Sequence, residues 1–265
     1  MNDPTPNRPG SDEPLTSRQQ LRRRTLKAFA VFGLGALAPV SVWKWLTGAP
    51  RNKGIPAPLR SVLEQNEHLA ETFFRPTSLA PTFPVERAVK RARVNGWDGL
   101  KTPIPDDWAL RVRQPGRELT LSLDDIKALP RHELVFEFKC IEGWSQIQHW
   151  AGARFADFAA TYGLGTRTGQ PARTEADWFR YVGLETPDRG YYVGIDLPSA
   201  LHPQTLLAYE LNNEPLNAAH GAPLRLIIPV KYGVKNLKRI GTIAFADEKP
   251  RDFWAERGYD YHVGL

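Results

Sequence analysis

The chain has 265 residues, 42% of them hydrophobic, with 8 Trp, 23 Pro, 21 Gly and one Cys, and carries a formal net charge of +6 with a pI near 9.5. This suffices for a sizeable core, and the Pro and Gly content favours many short strands over a helical bundle. A single Cys excludes an internal disulfide, a four-cysteine metal site and a CxxCH haem site, and the basic balance lacks the aromatic-interleaved stripe that would mark a nucleic-acid partner.

Much of the excess charge precedes residue 28, where Arg8, Arg18, Arg22, Arg23, Arg24 and Lys27 outnumber Asp3, Asp12 and Glu13. Arg22-Arg23-Arg24-Thr25-Leu26-Lys27 resembles a twin-arginine export signal, with Thr25 in place of the usual Phe. An apolar stretch over 28–46 comes next, interrupted only by Lys44 and bearing Trp43 and Trp45 at its far end. About 19 helical residues at ~1.5 Å each just cross a hydrocarbon layer of roughly 30 Å. The arginines before it orient the downstream chain outwards. Small residues at 36–38 and 47–49 offer cleavage sites, but each is followed by Pro. The expectation is one uncleaved transmembrane or signal helix in the cell inner membrane, with the rest of the chain facing the periplasm.

Residues 47–60 read as a linker by their Pro and Gly content, and Ser61 with Glu64 stands at capping-box spacing for a short helix to about Phe74. Residues 75–107 are Pro-rich and irregular. A strand is predicted from Trp108 to Gln114, a turn at Pro115-Gly116, a strand at Leu119–Leu121, and a capped helix from Ser122 to Leu129, ended by Pro130. Leu134, Phe136, Phe138 and Cys140 then alternate with Glu137 and Lys139, so Cys140 leaves a strand on its apolar face. A helix is predicted over 153–162, with strands at 178–185, 191–195, 224–230 and 238–246. The pattern is α+β and strand-rich.

A lone buried Cys is by itself more often a small hydrophobe than a ligand. Three strings change its context: CIEGWSQIQHWAG at 140–152, LHPQTLLAYELNNEPL at 201–216, and HGAPLRLIIPVKYGVKNLKRIGTI at 220–243. In this order and at these separations they resemble the sulfite-oxidase-fold molybdopterin oxidoreductases, and within them the methionine sulfoxide reductase branch. The resemblance covers residues 93–265, leaving 1–27 as a basic tail, 28–46 as the anchor and 47–92 as linker and short helix.

The resemblance implies a molybdenum–molybdopterin cofactor whose metal is bound by the Cys140 thiolate, with the Glu142 carboxylate nearby. It places cofactor contacts at Asn95, Thr186, His220, Arg225, Asn236, Leu237 and Lys238; His220 stands where that branch has Asn. It implies oxygen-atom transfer, in the direction of S-oxide reduction, with electrons from a membrane-bound b-type haem protein or another cytochrome, since the chain shows no second redox centre. Sulfite oxidation is the alternative direction, and an anchored binding module without redox activity is the non-enzyme alternative.

The residues themselves agree with this chemistry. A thiolate is a soft, strongly donating ligand suited to a redox-active transition metal. Lys231, Lys235, Lys238 and Arg239 surround Gly233 in a loop whose amides and cations suit a phosphate. Glu142, expected in an apolar pocket, is placed to relay protons. The six His offer no pair at the spacing of a zincin helix. A Cys140 nucleophile with His149 or His220 as base remains open; otherwise His149 is expected to pack beside Trp150, and Trp144, Trp150 and Phe155 to serve as core aromatics.

Overall fold

The computed structural model describes residues 22, 25–27, 29, 41–52, 54–75 and 77–265. The chain divides into two compact units, Met1–Asn52 with Pro56–Leu59 and Lys53–Ile55 with Arg60–Leu265. In the first, residues 41–48 are helical, and Thr47 Oγ1 donates to Trp43 O at 2.8 Å. Arg23, Arg24 and most of the apolar stretch over 28–46 lie outside the described residues. Among the described residues no helix is long and apolar enough to cross a membrane.

Helix α1 spans Ala57–Phe73 and begins before the Ser61 capping signal. Pro58 explains the earlier start: in the first helical turn its missing N–H removes no hydrogen bond and its fixed φ suits the helix. Residues 77–107 are irregular as expected, apart from a 3-10 turn at Val85–Arg87 and a bridge between Thr82 and Phe136.

The larger unit is mixed α+β and strand-rich, built on two sheets. The first has β1 (Leu110–Gln114), β2 (Arg117–Leu121), β5 (Tyr181–Glu185), β6 (Tyr192–Asp196) and β10 (Thr242–Ala246). Its order is β2-β1-β10-β5-β6, antiparallel except where β10 pairs with β1. β1 shows why it forms: Leu110, Val112 and Gln114 are buried while Arg111 and Arg113 are exposed, the period-2 pattern of a half-buried strand. Helix α2 (Leu123–Lys127) comes after β2 with Ser122 and Asp125 in a reciprocal capping box, as its sequence predicts.

The second sheet runs β8-β7-β4-β3 with β9 on β7, from β3 (Arg131–Lys139), β4 (Ser145–Arg154), β7 (Leu206–Leu211), β8 (Glu214–Pro215) and β9 (Arg225–Ile227). β4 and β7 are strands that the sequence pattern does not announce. β4 lies between β3 and β7 and its residues 148–153 are buried, so it carries no polar face to alternate. Gly152 permits this packing, because a Cβ there would lie 2.2 Å from Leu207 O. With β4 extending to Arg154, the predicted helix over 153–162 shortens to α3 (Phe155–Thr161).

Two apolar clusters cover the two faces of this sheet. Leu207 and Tyr209 of β7 join a cluster with Leu110, Phe158, Leu184 and Ile243, while Leu206 and Ala208 join Leu134, Phe136, Phe138 and Trp150. Phe138 is the last β3 residue in the second cluster, and Cys140 comes just after the strand ends at Lys139.

Candidate active site

β3 and β4 pair from Arg131↔Ala153 to Lys139↔Ser145, which makes residues 140–144 the connecting turn. Cys140 N donates to Trp144 O at 2.9 Å and Gly143 N donates to Cys140 O at 3.0 Å. Gly143 has φ +88°, a conformation glycine adopts at little cost. The Trp144 ring stacks on Phe138 at 5.9 Å, carries the Arg93 guanidinium at 4.9 Å, and donates its N–H to Glu142 Oε2 at 3.0 Å. The turn is therefore pinned by its backbone and by its one aromatic ring.

The Cys140 side chain is 6% exposed and lines a cavity of about 130 Å³ with Asn95, Asp98, Glu142, Tyr191, Asn236 and Lys238. Burial pushes the thiol pKa up, the Glu142 N–H opposes that, and the Glu142 carboxylate adds to it. Gly233 closes one wall: a Cβ there would meet the Phe138 ring at 2.9 Å. Tyr191 donates its hydroxyl to Val234 O at 2.6 Å and holds the same loop. A larger cavity of about 850 Å³ lies at Phe74, Trp178, Tyr181 and His262, but no thiol lines it, so chemistry and not size marks the site.

Of the residues singled out in the sequence, Asn95, Cys140, Glu142, Asn236 and Lys238 meet at this cavity. Glu142 is exposed, not buried in an apolar pocket, because the turn projects it to the rim. Thr186, His220, Arg225 and Leu237 do not line the cavity. Thr186 Oγ1 donates to Asp188 Oδ1 at 2.6 Å and accepts from Tyr191 N at 3.1 Å, so it shapes the turn that carries Tyr191. Leu237 is a core residue. His149 does not pack beside Trp150; strand alternation sends it to the other face, where Nε2 meets Glu133 Oε2 at 3.1 Å. Asp98, Tyr191, Trp254 and Tyr259 line the cavity without any sequence signal that would have singled them out.

The basic loop also divides. Lys231 and Lys235 are committed to Asp196 at 3.1 Å and Asp252 at 2.5 Å, and so do not cradle a phosphate. Lys238 Nζ instead donates to Gly96 O and Ala219 O, both at 3.0 Å, and burial together with Arg225 pushes its pKa down to about 7. Arg225 lies over Trp150 at 4.5 Å and donates to His220 O at 3.0 Å and Asn236 O at 3.2 Å. Burial lowers its pKa to about 9, and its Nε has no hydrogen-bond partner. The His220 ring meets Trp150 edge-on at 6.4 Å, and burial beside the two cations depresses its pKa to about 4. His220 is therefore a neutral neighbour of Arg225.

Among the described residues, neither Lys238 nor Arg225 forms an ion pair with a carboxylate. Two buried cations with carbonyl partners and an orphaned N–H are an arrangement that lacks its anion. A phosphate-bearing group supplies one, and the Cys140 thiol supplies a soft metal ligand. These residues fit a molybdenum–pterin cofactor. The cavity is smaller than the roughly 300–1,000 Å³ of drug-sized ligand sites, so its open space alone is less than a whole pterin would fill.

A strand-rich α+β domain with a thiol and the Lys238 cation at one cavity, and the buried Arg225 held on the carbonyl of the lining residue Asn236, fits a molybdopterin-binding oxidoreductase. The chain belongs to the oxidoreductase molybdopterin-binding domain family, whose sequence model matches residues 99–254. It is 32% identical over 201 residues to a protein of Azospira oryzae provisionally named a protein-methionine-sulfoxide reductase subunit, covering 72% of this chain and 70% of that one. It is 33% identical over 165 residues to the protein-methionine-sulfoxide reductase catalytic subunit of Xanthomonas campestris (58% and 49% covered). It is 30% identical over 212 residues to the mitochondrial sulfite oxidase of Drosophila melanogaster (72% and 34%). The chain thus spans about half the length of the Xanthomonas relative and a third of the Drosophila one.

Proposed function

We propose that this chain is the catalytic domain of a molybdopterin oxidoreductase that reduces an S-oxide, of the methionine sulfoxide kind, with electrons from a membrane haem protein. The observation that carries it is the Cys140 thiol in a cavity that also holds Lys238, a buried cation without a carboxylate. Cys140 holds the metal; Lys238 and Arg225 hold the pterin phosphate, with Asn236 keeping the 233–236 turn in place through Ile228 N at 2.8 Å and Tyr232 O at 3.2 Å. When bound, the cofactor supplies a two-electron oxygen-atom transfer, in which a sulfoxide, two protons and two electrons give a thioether and water. Glu142, on the solvent rim with its carboxylate held by Trp144, is placed to bring those protons from bulk water into the cavity.

Asp98, Glu142 and Lys238 all line the cavity, so its charge is of mixed sign and the choice of substrate rests elsewhere. The names borne by the Xanthomonas and Azospira relatives favour the S-oxide. The arginine cluster and apolar stretch over 28–46 support export by the twin-arginine route and an uncleaved anchor in the inner membrane, with the domain on the periplasmic side.

The test is metal and pterin analysis of the full chain purified from its host, followed by turnover with a reduced dye and methionine sulfoxide, and separately with sulfite and an acceptor. Stoichiometric molybdenum with sulfoxide turnover is expected. Molybdenum-bearing protein that oxidises sulfite and leaves sulfoxides untouched would reverse the assigned direction, and protein without metal would leave a binding module.

A further inference from the structure

α1 leaves much of its apolar side-chain surface exposed. Arg60 and Glu67 face the body of the domain: Arg60 Nη2 donates to Gly258 O at 3.0 Å, and Glu67 pairs with Lys249. The face turned away carries Val62, Gln65, Asn66, Leu69 and Phe73 at helical spacing, with no charge among them. Val62 is 54% exposed, Leu69 55% and Phe73 74%, and Leu79 beyond the helix is 62% exposed. A surface helix normally hides its apolar stripe and shows its charges, and a contiguous exposed apolar stripe marks a contact surface.

The segment just before α1 indicates what covers this face. Leu46 ends the apolar stretch, and the ten residues 47–56, reaching at most ~40 Å even fully extended, lead from it to the start of α1. Trp43 and Trp45 are themselves 68% and 62% exposed, the residue type that settles at a lipid–water boundary. The interfacial layer of a bilayer accommodates an uncharged helical face of Val, Leu and Phe between amide side chains, as it does tryptophans. We infer that α1 lies along the membrane surface with Val62, Leu69 and Phe73 inserted among the lipids, so that the domain is held in a fixed orientation and not merely tethered. This rests on the proposed anchor over 28–46.

The experiment uses the full chain in phosphatidylcholine vesicles that contain a bromine-bearing quencher lipid. An environment-sensitive thiol fluorophore is placed at Leu69→Cys, and in a second protein at Glu64→Cys on the charged side of the helix. Cys140 is 6% exposed, so the parent serves as the labelling blank. Vesicle flotation is measured on the same samples. Flotation with blue-shifted, quenched emission at 69 and neither change at 64 is expected. Flotation without quenching at 69 overturns the lipid contact while leaving the anchor standing. A chain that does not float defeats the anchor and the inference together.

Discussion

Lys238 offers a prediction in which charge, pH and cofactor retention move together. Its pKa falls from 10.5 to about 7 in the fold without cofactor, burial being the main cause and Arg225 the second. A base with a depressed folded pKa binds fewer protons folded than unfolded between those values, so stability is lowest below about pH 7 and rises as pH climbs towards 10.5. At ~1.4 kcal/mol per unit, the full shift is about 5 kcal/mol, a ceiling that solvent screening reduces. Lys238→Met keeps the length of the side chain and removes the charge. Between pH 7 and 9 the cofactor-free parent should gain up to ~2.5 kcal/mol more than the variant, or about 5–10 °C in Tm for a domain of this size. Lys231, depressed to about 8, contributes its own rise to both proteins and cancels in the difference. With phosphate bound the cation has its partner and the extra slope should vanish, whereas Lys238→Met should lose cofactor roughly 10- to 100-fold faster, the worth of one charge-assisted contact. Thermal melts of cofactor-free and loaded protein across this pH range provide the assay. Parallel slopes in parent and variant, or equal cofactor retention, refute the claim that Lys238 waits for an anion.

The remaining expectations concern the thiol and a buried pair. Cys140→Ser should leave the melting temperature within a few degrees of the parent and abolish turnover with dye donors; full activity in that variant would remove the thiol from the metal. Asp252→Asn should cost about 3–5 kcal/mol in denaturant unfolding, because it strands the buried Lys235 ammonium. Asp252 also accepts from Gly194 N at 3.1 Å and Ala255 N at 2.9 Å, bonds that only one amide oxygen inherits. A cost under 1 kcal/mol would mean that Lys235 is neutral in the fold.

How much of the fold is legible in the sequence depends on how local each cause is. The alternation Leu134, Phe136, Phe138, Cys140 is readable because β3 has one face in the second apolar cluster, and the Ser122–Asp125 box is readable because its two partners are three residues apart. β4 is not readable, since burial across 148–153 erases the alternation. Nor does any local pattern say that Asp196 neutralises Lys231 and Asp252 neutralises Lys235. From the sequence the four cations around Gly233 are equivalent; only the pairing of distant segments shows which are already spent. The same selection explains why Thr186 and His220 stand apart from the cavity: Thr186 is occupied by Asp188 and Tyr191, and His220 is held neutral against Trp150 beside two cations. A cofactor anion is recruited by cations that folding leaves unpaired. Lys238 and Arg225 meet that condition, so the loss of either should be felt first in cofactor retention and only through it in turnover.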